Sequence, residues 1–241
     1  MAPKSIPGVD DRLPQSGASH ARYLIGDRME VRRADFGDSD FRDSTIAFFC
    51  RYARGKSVLD LGCVDHNPEG YQSKYWIHKA LRAVAARLTG LDLYEKGVRY
   101  LRERGFDVVE GDAENIELDD TFEVIVAGEL IEHLASPGAL LASARRHLTP
   151  GGMLLISTPN PWYWRYVVKS IFSWNVRPNP EHVSWYCGAT LKALLARYGF
   201  EMHEFARGSR YLRDRLLPLP AGLKHTTIYV AARLVPAETN V

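Results

Sequence analysis

Hydrophobic positions along this chain follow two periods, and blocks of the two alternate. Phe41, Ile46, Phe48 and Phe49 fall at helical spacing between Ser39 and Arg54, which predicts a helix packed on a core. The run SVLDLG, Ser57 to Gly62, is short, apolar and closed by glycine, so it reads as a buried strand. Tyr71 to Leu88 carries Ala80, Leu81, Val84, Ala85 and Leu88 at helical spacing and predicts a second helix. Strand LTGLDL, helix VRYLRER, strand FDVVEGD and strand FEVIVAG (Phe122 to Gly128) follow. A helix over Ala139 to Leu148 is expected to stop at Pro150-Gly151-Gly152. Strand MLLISTP, a helix from Leu191 to Tyr198 ended by Gly199, and strands FEMHEF and HTTIYVAARLV complete the pattern. Strands alternating with helices imply a parallel sheet covered on both faces, with ligands at the carboxyl ends of its strands.

Composition narrows the class without naming a partner. With 46% hydrophobic and 25% charged residues over 241 positions, the chain suits one well-buried domain. The pattern sets that domain at 38–241, behind a leader at 1–37 rich in proline, glycine and polar residues. A net charge of +2 announces no polyanion, so nucleic acid is the less favoured partner. Cys50, Cys63 and Cys187 are widely spaced and odd in number, which predicts reduced thiols and no disulfide framework. The first residues hold no apolar run fit for a signal peptide or membrane span, so a cytoplasmic protein without membrane partners is expected.

Acids stand at three strand ends: Asp60 with Gly62, then Asp92, then Asp112 in GDAE. Gly62 lets backbone approach a ligand closely. An acid at the second strand can hold both hydroxyls of a ribose, and the third, with the Ala113 backbone, can read an adenine edge. Singly, each is an ordinary turn or cap residue. The ordered set is informative. From VLDLGC through GLDLYEKGVRYL, GDAENI and FEVIVAGELIEHL to LTPGGMLLISTPN, the chain resembles class I S-adenosylmethionine-dependent methyltransferases, including ubiquinone-pathway O-methyltransferases. The resemblance implies a Rossmann-like doubly wound α/β sheet, mostly parallel, with an antiparallel C-terminal strand. It places Asp60, Gly62 and Cys63 at the methionine end of S-adenosylmethionine and Asp92 with Leu93 at the ribose. Asp112 and Ala113 fall at the adenine, and Gly128 and Glu129 beside the sulfonium.

Two departures stand out. Val64 and His66 occupy places where the family carries further glycines, and Asp92 lies 32 residues after Asp60 rather than roughly 20. The added length, VDHNPEGYQSKYWIH, reads as an enlarged first loop. Its Tyr75, Trp76 or His78 would cover the cofactor, or Trp76 would only pack the next helix. The missing G-x-G-x-x-G also argues against a nicotinamide dehydrogenase.

Glu129, Glu132 and His133 form E-x-x-E-H after the fourth strand. On a helix these spacings would put all three on one face, where two carboxylates repel unless a cation or proton lies between them. His182, in NPEHVSWY, is available as a further ligand. The pattern resembles magnesium-dependent O-methyltransferases of the ubiquinone pathway and of small-RNA 3′ ends. It implies a divalent metal, magnesium by that resemblance, on Glu129, Glu132, His133 and His182, with His133 or His182 as base. The alternative is a metal-free histidine base at His133.

An aromatic lid is expected at about 160–187, holding Trp162, Tyr163, Trp164, Tyr166, Phe172, Trp174, Trp185 and Tyr186. Aromatic faces suit sugars or bases, whereas a homodimer interface or a small satellite core would use the same residues. Arg207, Arg210, Arg213 and Arg215 read as a solvated run or an anion contact. The favoured acceptor is a sugar hydroxyl on a small molecule or oligosaccharide, as in polymethylated-polysaccharide O-methyltransferases of actinobacteria. The rivals are an RNA 3′-terminal ribose, a catechol or quinone precursor, and an inactive cofactor-binding partner subunit.

Overall fold

A computed structural model describes residues 41–64, 68–173, 176, 179–209, 211, 214 and 216–235. The leader expected at 1–37 lies outside these residues, as do His66, Trp174, Arg210, Arg213 and Arg215. Seven strands form one sheet: β1 (Ser57–Leu61), β2 (Arg87–Asp92), β3 (Val108–Glu110), β4 (Phe122–Gly128), β5 (Leu148–Pro159), β6 (Phe200–Gly208) and β7 (Thr227–Leu234). Their spatial order is β3-β2-β1-β4-β5-β7-β6. The first five pair in parallel, and β7 runs antiparallel between β5 and β6. The expected fold class is therefore the one observed.

Helices α1 (Phe41–Ala53), α2 (Ile77–Arg82), α3 (Glu95–Arg102), α4 (Pro137–His147), α5 (Trp164–Phe172) and α6 (Gly188–Arg197) supply the connections and flanks. None of the described helices is long and apolar enough to cross a membrane. The central strands are buried on both faces, which is why β1 and β4 read as continuous apolar runs and not as alternations. Phe48 and Phe49 of α1 are fully buried with Val124, Val126 and Tyr229, and the Phe48 and Tyr229 rings stack at 5.2 Å. Each such side chain contributes roughly 1.5–3 kcal/mol by leaving water.

Two elements differ from expectation. The helix predicted over Tyr71 to Leu88 is a short 3-10 turn, Pro68–Gln72, followed by the six-residue α2. The Trp76 indole donates to the Cys63 carbonyl at 2.7 Å and pins the chain just before α2. At its other end, Ala86 N–H bonds to the Lys56 carbonyl and draws the chain into β2. Val84, Ala85 and Leu88 keep apolar partners, but as a turn and a strand entry. Helix α4 likewise stops at His147, because Leu148 already pairs with Phe122 in the sheet and Pro150-Gly151-Gly152 lie within β5.

The chain runs from β1 outward to β2 and β3, then crosses back to β4 on the other side of β1. This reversal opens a crevice beyond the carboxyl ends of β1 and β4. Leu61 pairs with Ala127, so Gly62 and Gly128 face one another at its mouth.

Candidate functional site

Two adjoining cavities occupy that crevice, one of about 700 Å³ and one of about 390 Å³. Gly62, Gly128 and Glu129 line both. Asp60 and Cys63 line only the smaller. Asp92, Leu93, Asp112, Ala113, Glu132, His133 and His182 line only the larger. Every residue that the sequence assigned to the cosubstrate or the metal thus borders one of these two adjoining cavities.

Backbone groups aim the acids. Gly62 takes a φ of 72°, a left-handed turn that glycine adopts without strain, and its N–H bonds to the Leu91 carbonyl at 2.8 Å. Asp92 Oδ2 accepts from Val64 N–H at 2.8 Å and Oδ1 from Tyr94 N–H at 2.9 Å. Each oxygen keeps a second lone pair for the cavity. Asp112 Oδ1 accepts from Glu114 N–H at 2.8 Å, which fixes the GDAE turn with Ala113 against the cavity wall. Burial raises the Cys63 thiol far above its usual range, so this cysteine is an apolar wall and no nucleophile.

The E-x-x-E-H segment is not the single helical face that its spacing suggested. Glu129 stands alone with a φ of 50°, and only Ile131–His133 forms a short 3-10 turn. Glu129 N–H is held by both the carbonyl and the hydroxyl of Ser157, at 3.0 Å each. Left-handed backbone at a non-glycine residue costs of order 1–3 kcal/mol, and such strain collects where geometry serves a site. Glu129→Gly should relieve it. We expect that variant to be at least as stable as wild type in urea denaturation, while Glu129→Ala gains nothing. A loss above about 1 kcal/mol in the glycine variant would make Glu129 a structural residue instead.

Glu132, His133 and His182 converge, with one potential ligand atom from each lying within 4.8 Å of the others. Glu129 borders the same cavity outside this trio, though its charge is felt. Burial, and next the Glu129 carboxylate, raise Glu132 to about 8. Glu132 is only 1% exposed, and its carboxylate oxygens make no hydrogen bond of good geometry, although the Thr158 hydroxyl and the Glu132 backbone lie close enough to ease the rise. His182 is brought in by the lid. Val183 N–H bonds to the Glu132 carbonyl at 2.9 Å, and the His182 and His133 rings meet edge to face at 4.6 Å. Burial and the neighbouring His133 lower the His182 pKa, so its imidazole is neutral at neutral pH.

The sequence reading missed Asn179 and Thr158. Asn179 borders the larger cavity and receives Glu181 N–H on its side chain at 3.1 Å, forming the turn that presents His182. The Asn-Pro pair of NPEH was the available signal. Thr158, at the end of β5, is buried beside Glu132. The described lid aromatics line neither cavity, which fits the satellite-core alternative better than ligand stacking. Tyr163 donates to the buried Asp214 carboxylate at 2.5 Å, and Tyr166 meets Trp185 at 5.5 Å. Tyr163, Trp164, Tyr166 and Trp185 pack on one another as a satellite cluster, while Trp162 and Phe172 are exposed. Arg207 is half-buried over the Phe205 ring rather than solvated.

Comparison with known proteins agrees with this geometry. A methyltransferase-domain profile matches residues 34–204. A "probable S-adenosylmethionine-dependent methyltransferase" of Mycolicibacterium smegmatis is 32% identical over 155 residues, 62% of this chain and 54% of its own length. A ubiquinone biosynthesis O-methyltransferase of Thiobacillus denitrificans is 31% identical over 117 residues, 44% of this chain and 45% of its own. The chain thus spans about half the length of these curated relatives. The crystal structure of an S-adenosylmethionine-dependent methyltransferase from Archaeoglobus fulgidus shares the fold, with a TM-score of 0.56 at 18% identity over 80% of this chain and 94% of that one. The chain belongs to the methyltransferase-domain family, within the class I S-adenosylmethionine-dependent methyltransferases.

Proposed function

We propose that this protein transfers the methyl group of S-adenosylmethionine to a hydroxyl oxygen, with a divalent cation held by Glu132, His133 and His182 and supported by Glu129. The observation that carries the reading is Glu132: a buried carboxylate with no well-formed hydrogen bond, beside two imidazoles at the rim of the larger cavity. A cation answers that arrangement better than any group present. Two imidazoles among three donors suit manganese, cobalt or zinc at least as well as magnesium.

The residues divide the work. Asp92 accepts the two ribose hydroxyls while Asp112 and the Ala113 backbone grip the adenine edge. Gly62 admits the methionine portion close to the β1 turn, and Glu129 borders the junction of the two cavities where the reactive methyl would stand. The methyl is already activated, so the protein's task is to align an oxygen behind it. A bound divalent cation supplies positive charge that lowers the pKa of nearby hydroxyls. A neutral imidazole that holds a cation through one nitrogen carries its own proton on the other, so the hydroxyl proton would pass to His133 or His182 only in whichever of the two is not a ligand. In one imidazole the two roles exclude each other.

The acceptor we favour is a sugar hydroxyl beside a second free hydroxyl. Adjacent oxygens suit a cationic centre, and the near-balanced charge of +2 is low for an RNA enzyme, which needs several phosphate contacts. Similarity to a ubiquinone biosynthesis O-methyltransferase keeps a catechol as the second reading. The test offers saccharides, catechols and short RNAs with free 3′ ends side by side with labelled cosubstrate, then maps the methylated oxygen. Saccharides should be methylated, and blocking the neighbouring hydroxyl should end it. Preference for catechols or RNA ends would overturn the sugar assignment alone, and no transfer to any oxygen would overturn the O-methyltransferase reading.

A further inference from the structure

One buried titratable pair has no part in the chemistry above. His78, at the start of α2, is 1% exposed, and its Nδ1 lies 3.0 Å from Oδ2 of Asp60, itself 3% exposed. Burial raises the Asp60 pKa and the bond to His78 opposes that rise, as it does when the imidazole Nδ1–H donates to the carboxylate. The surrounding chain is shaped to this ring. A Cβ at Gly90 of β2 would fall 2.8 Å from His78 Cε1 and 2.6 Å from Cys63 Sγ, so only glycine leaves the imidazole its place. Trp76 and Phe106 flank it, with ring centroids 5.1 and 6.0 Å away. The lengthened loop after β1 therefore returns to deliver one histidine to the acid of β1.

Asp60 faces the smaller cavity. Its described lining includes two carboxylates, Asp60 and Glu129, and no lysine or arginine. A pocket of that sign attracts a cation. S-adenosylmethionine is positive at its sulfonium and at the ammonium of its amino-acid end, and only the ammonium can donate hydrogen bonds to a carboxylate.

We propose that His78 is a positioning residue for the amino-acid end of the cosubstrate: by engaging Oδ2 of Asp60 it turns Oδ1 toward the ammonium in the smaller cavity. The inference rests on the S-adenosylmethionine reading above. It assigns the enlarged loop a purpose beyond packing, namely discrimination between ligands that carry the amino acid and ligands that lack it.

The experiment is titration calorimetry on the full chain with two ligands. One is S-adenosylhomocysteine. The other is 5′-deoxy-5′-methylthioadenosine, the same nucleoside thioether without its amino-acid end. His78→Phe keeps a ring of similar volume and removes the donor, whereas His78→Asn places an amide nitrogen near the Nδ1 position. His78→Phe should bind S-adenosylhomocysteine about tenfold more weakly, a single lost charge-assisted contact, and methylthioadenosine unchanged. His78→Asn should restore most of the difference. Equal losses for both ligands, or no loss for either, would assign His78 to packing and overturn the proposal. Should His78→Phe fail to fold, Asp60→Asn must lose the same preference between the ligands, and an unaltered preference there overturns it equally. Wild type binding neither ligand would instead remove the cosubstrate reading, and this inference with it.

Discussion

Asp92→Ala is expected to weaken S-adenosylhomocysteine binding by about 100-fold or more. The loss is two hydrogen bonds from ribose hydroxyls to a charged acceptor, each worth about 1.5–3 kcal/mol. The same carboxylate also holds Val64 and Tyr94 N–H, so its removal loosens the β1 turn beside the proposed nucleoside site. Asp92→Asn separates these contributions. An amide can accept at only one atom, so it keeps one of the two backbone bonds and turns donors toward the other. We expect Asn to fall between wild type and Ala. Calorimetric titration measures the affinities, and circular dichroism confirms that each variant is folded. A folded Asp92→Ala that binds within threefold of wild type would take the ribose away from this residue.

That prediction needed little beyond the sequence, and the reason is physical. A parallel sheet must place its functional residues at strand ends, so the order Asp60, Asp92, Asp112 maps directly onto adjacent positions. Buried strands declare themselves as apolar runs, and all seven were legible. The helix over Tyr71 to Leu88 was not, because apolar spacing records burial and not hydrogen bonding. Leu81 and Val84 are covered whether the backbone is helical or turning. What shortened the helix were the indole bond from Trp76 to a carbonyl 13 residues earlier and the Ala86 N–H bond to Lys56, which no local pattern encodes.

The E-x-x-E-H segment misled for a related reason. Spacing was read on an assumed helix, whereas Ser157 on the neighbouring strand captures the Glu129 N–H and forces a left-handed residue there. Tertiary contact overrode the local period. The convergence of Glu132, His133 and His182 survives, because it depends on the lid's hydrogen bonds to the Glu132 carbonyl and not on helical phase. The lid's aromatic content pointed toward ligand stacking, yet Tyr163, Tyr166 and Trp185 turn toward protein. Composition marks a segment as ordered without saying which side it faces.

The largest effect is expected at Glu132. Glu132→Gln keeps the shape and removes the charge, so manganese affinity measured by calorimetry should fall more than about 100-fold, beyond what loss of a mere supporting contact produces. Turnover should fall with it, while S-adenosylhomocysteine affinity stays near wild type, since the proposed nucleoside contacts fall to Asp92, Asp112 and the Ala113 backbone and none to Glu132. Stability gives a readout independent of catalysis. Saturating manganese at about 100 times its dissociation constant should stabilise wild type by about 2.7 kcal/mol and the variant by no more than about 0.4 kcal/mol. Without metal the order reverses. Burial and Glu129 raise Glu132 to about 8 in the folded chain, above the 4.5 of a free glutamate. A carboxylate raised in this way weakens the fold progressively as pH climbs from about 4.5 to about 8. Metal-free wild type should therefore lose stability against Glu132→Gln across that window, and a parallel pH dependence of the two would deny the buried charge. Full turnover after exhaustive chelation, with manganese affinity the same in both proteins, would leave His133 as a metal-free base and remove the cation from the site.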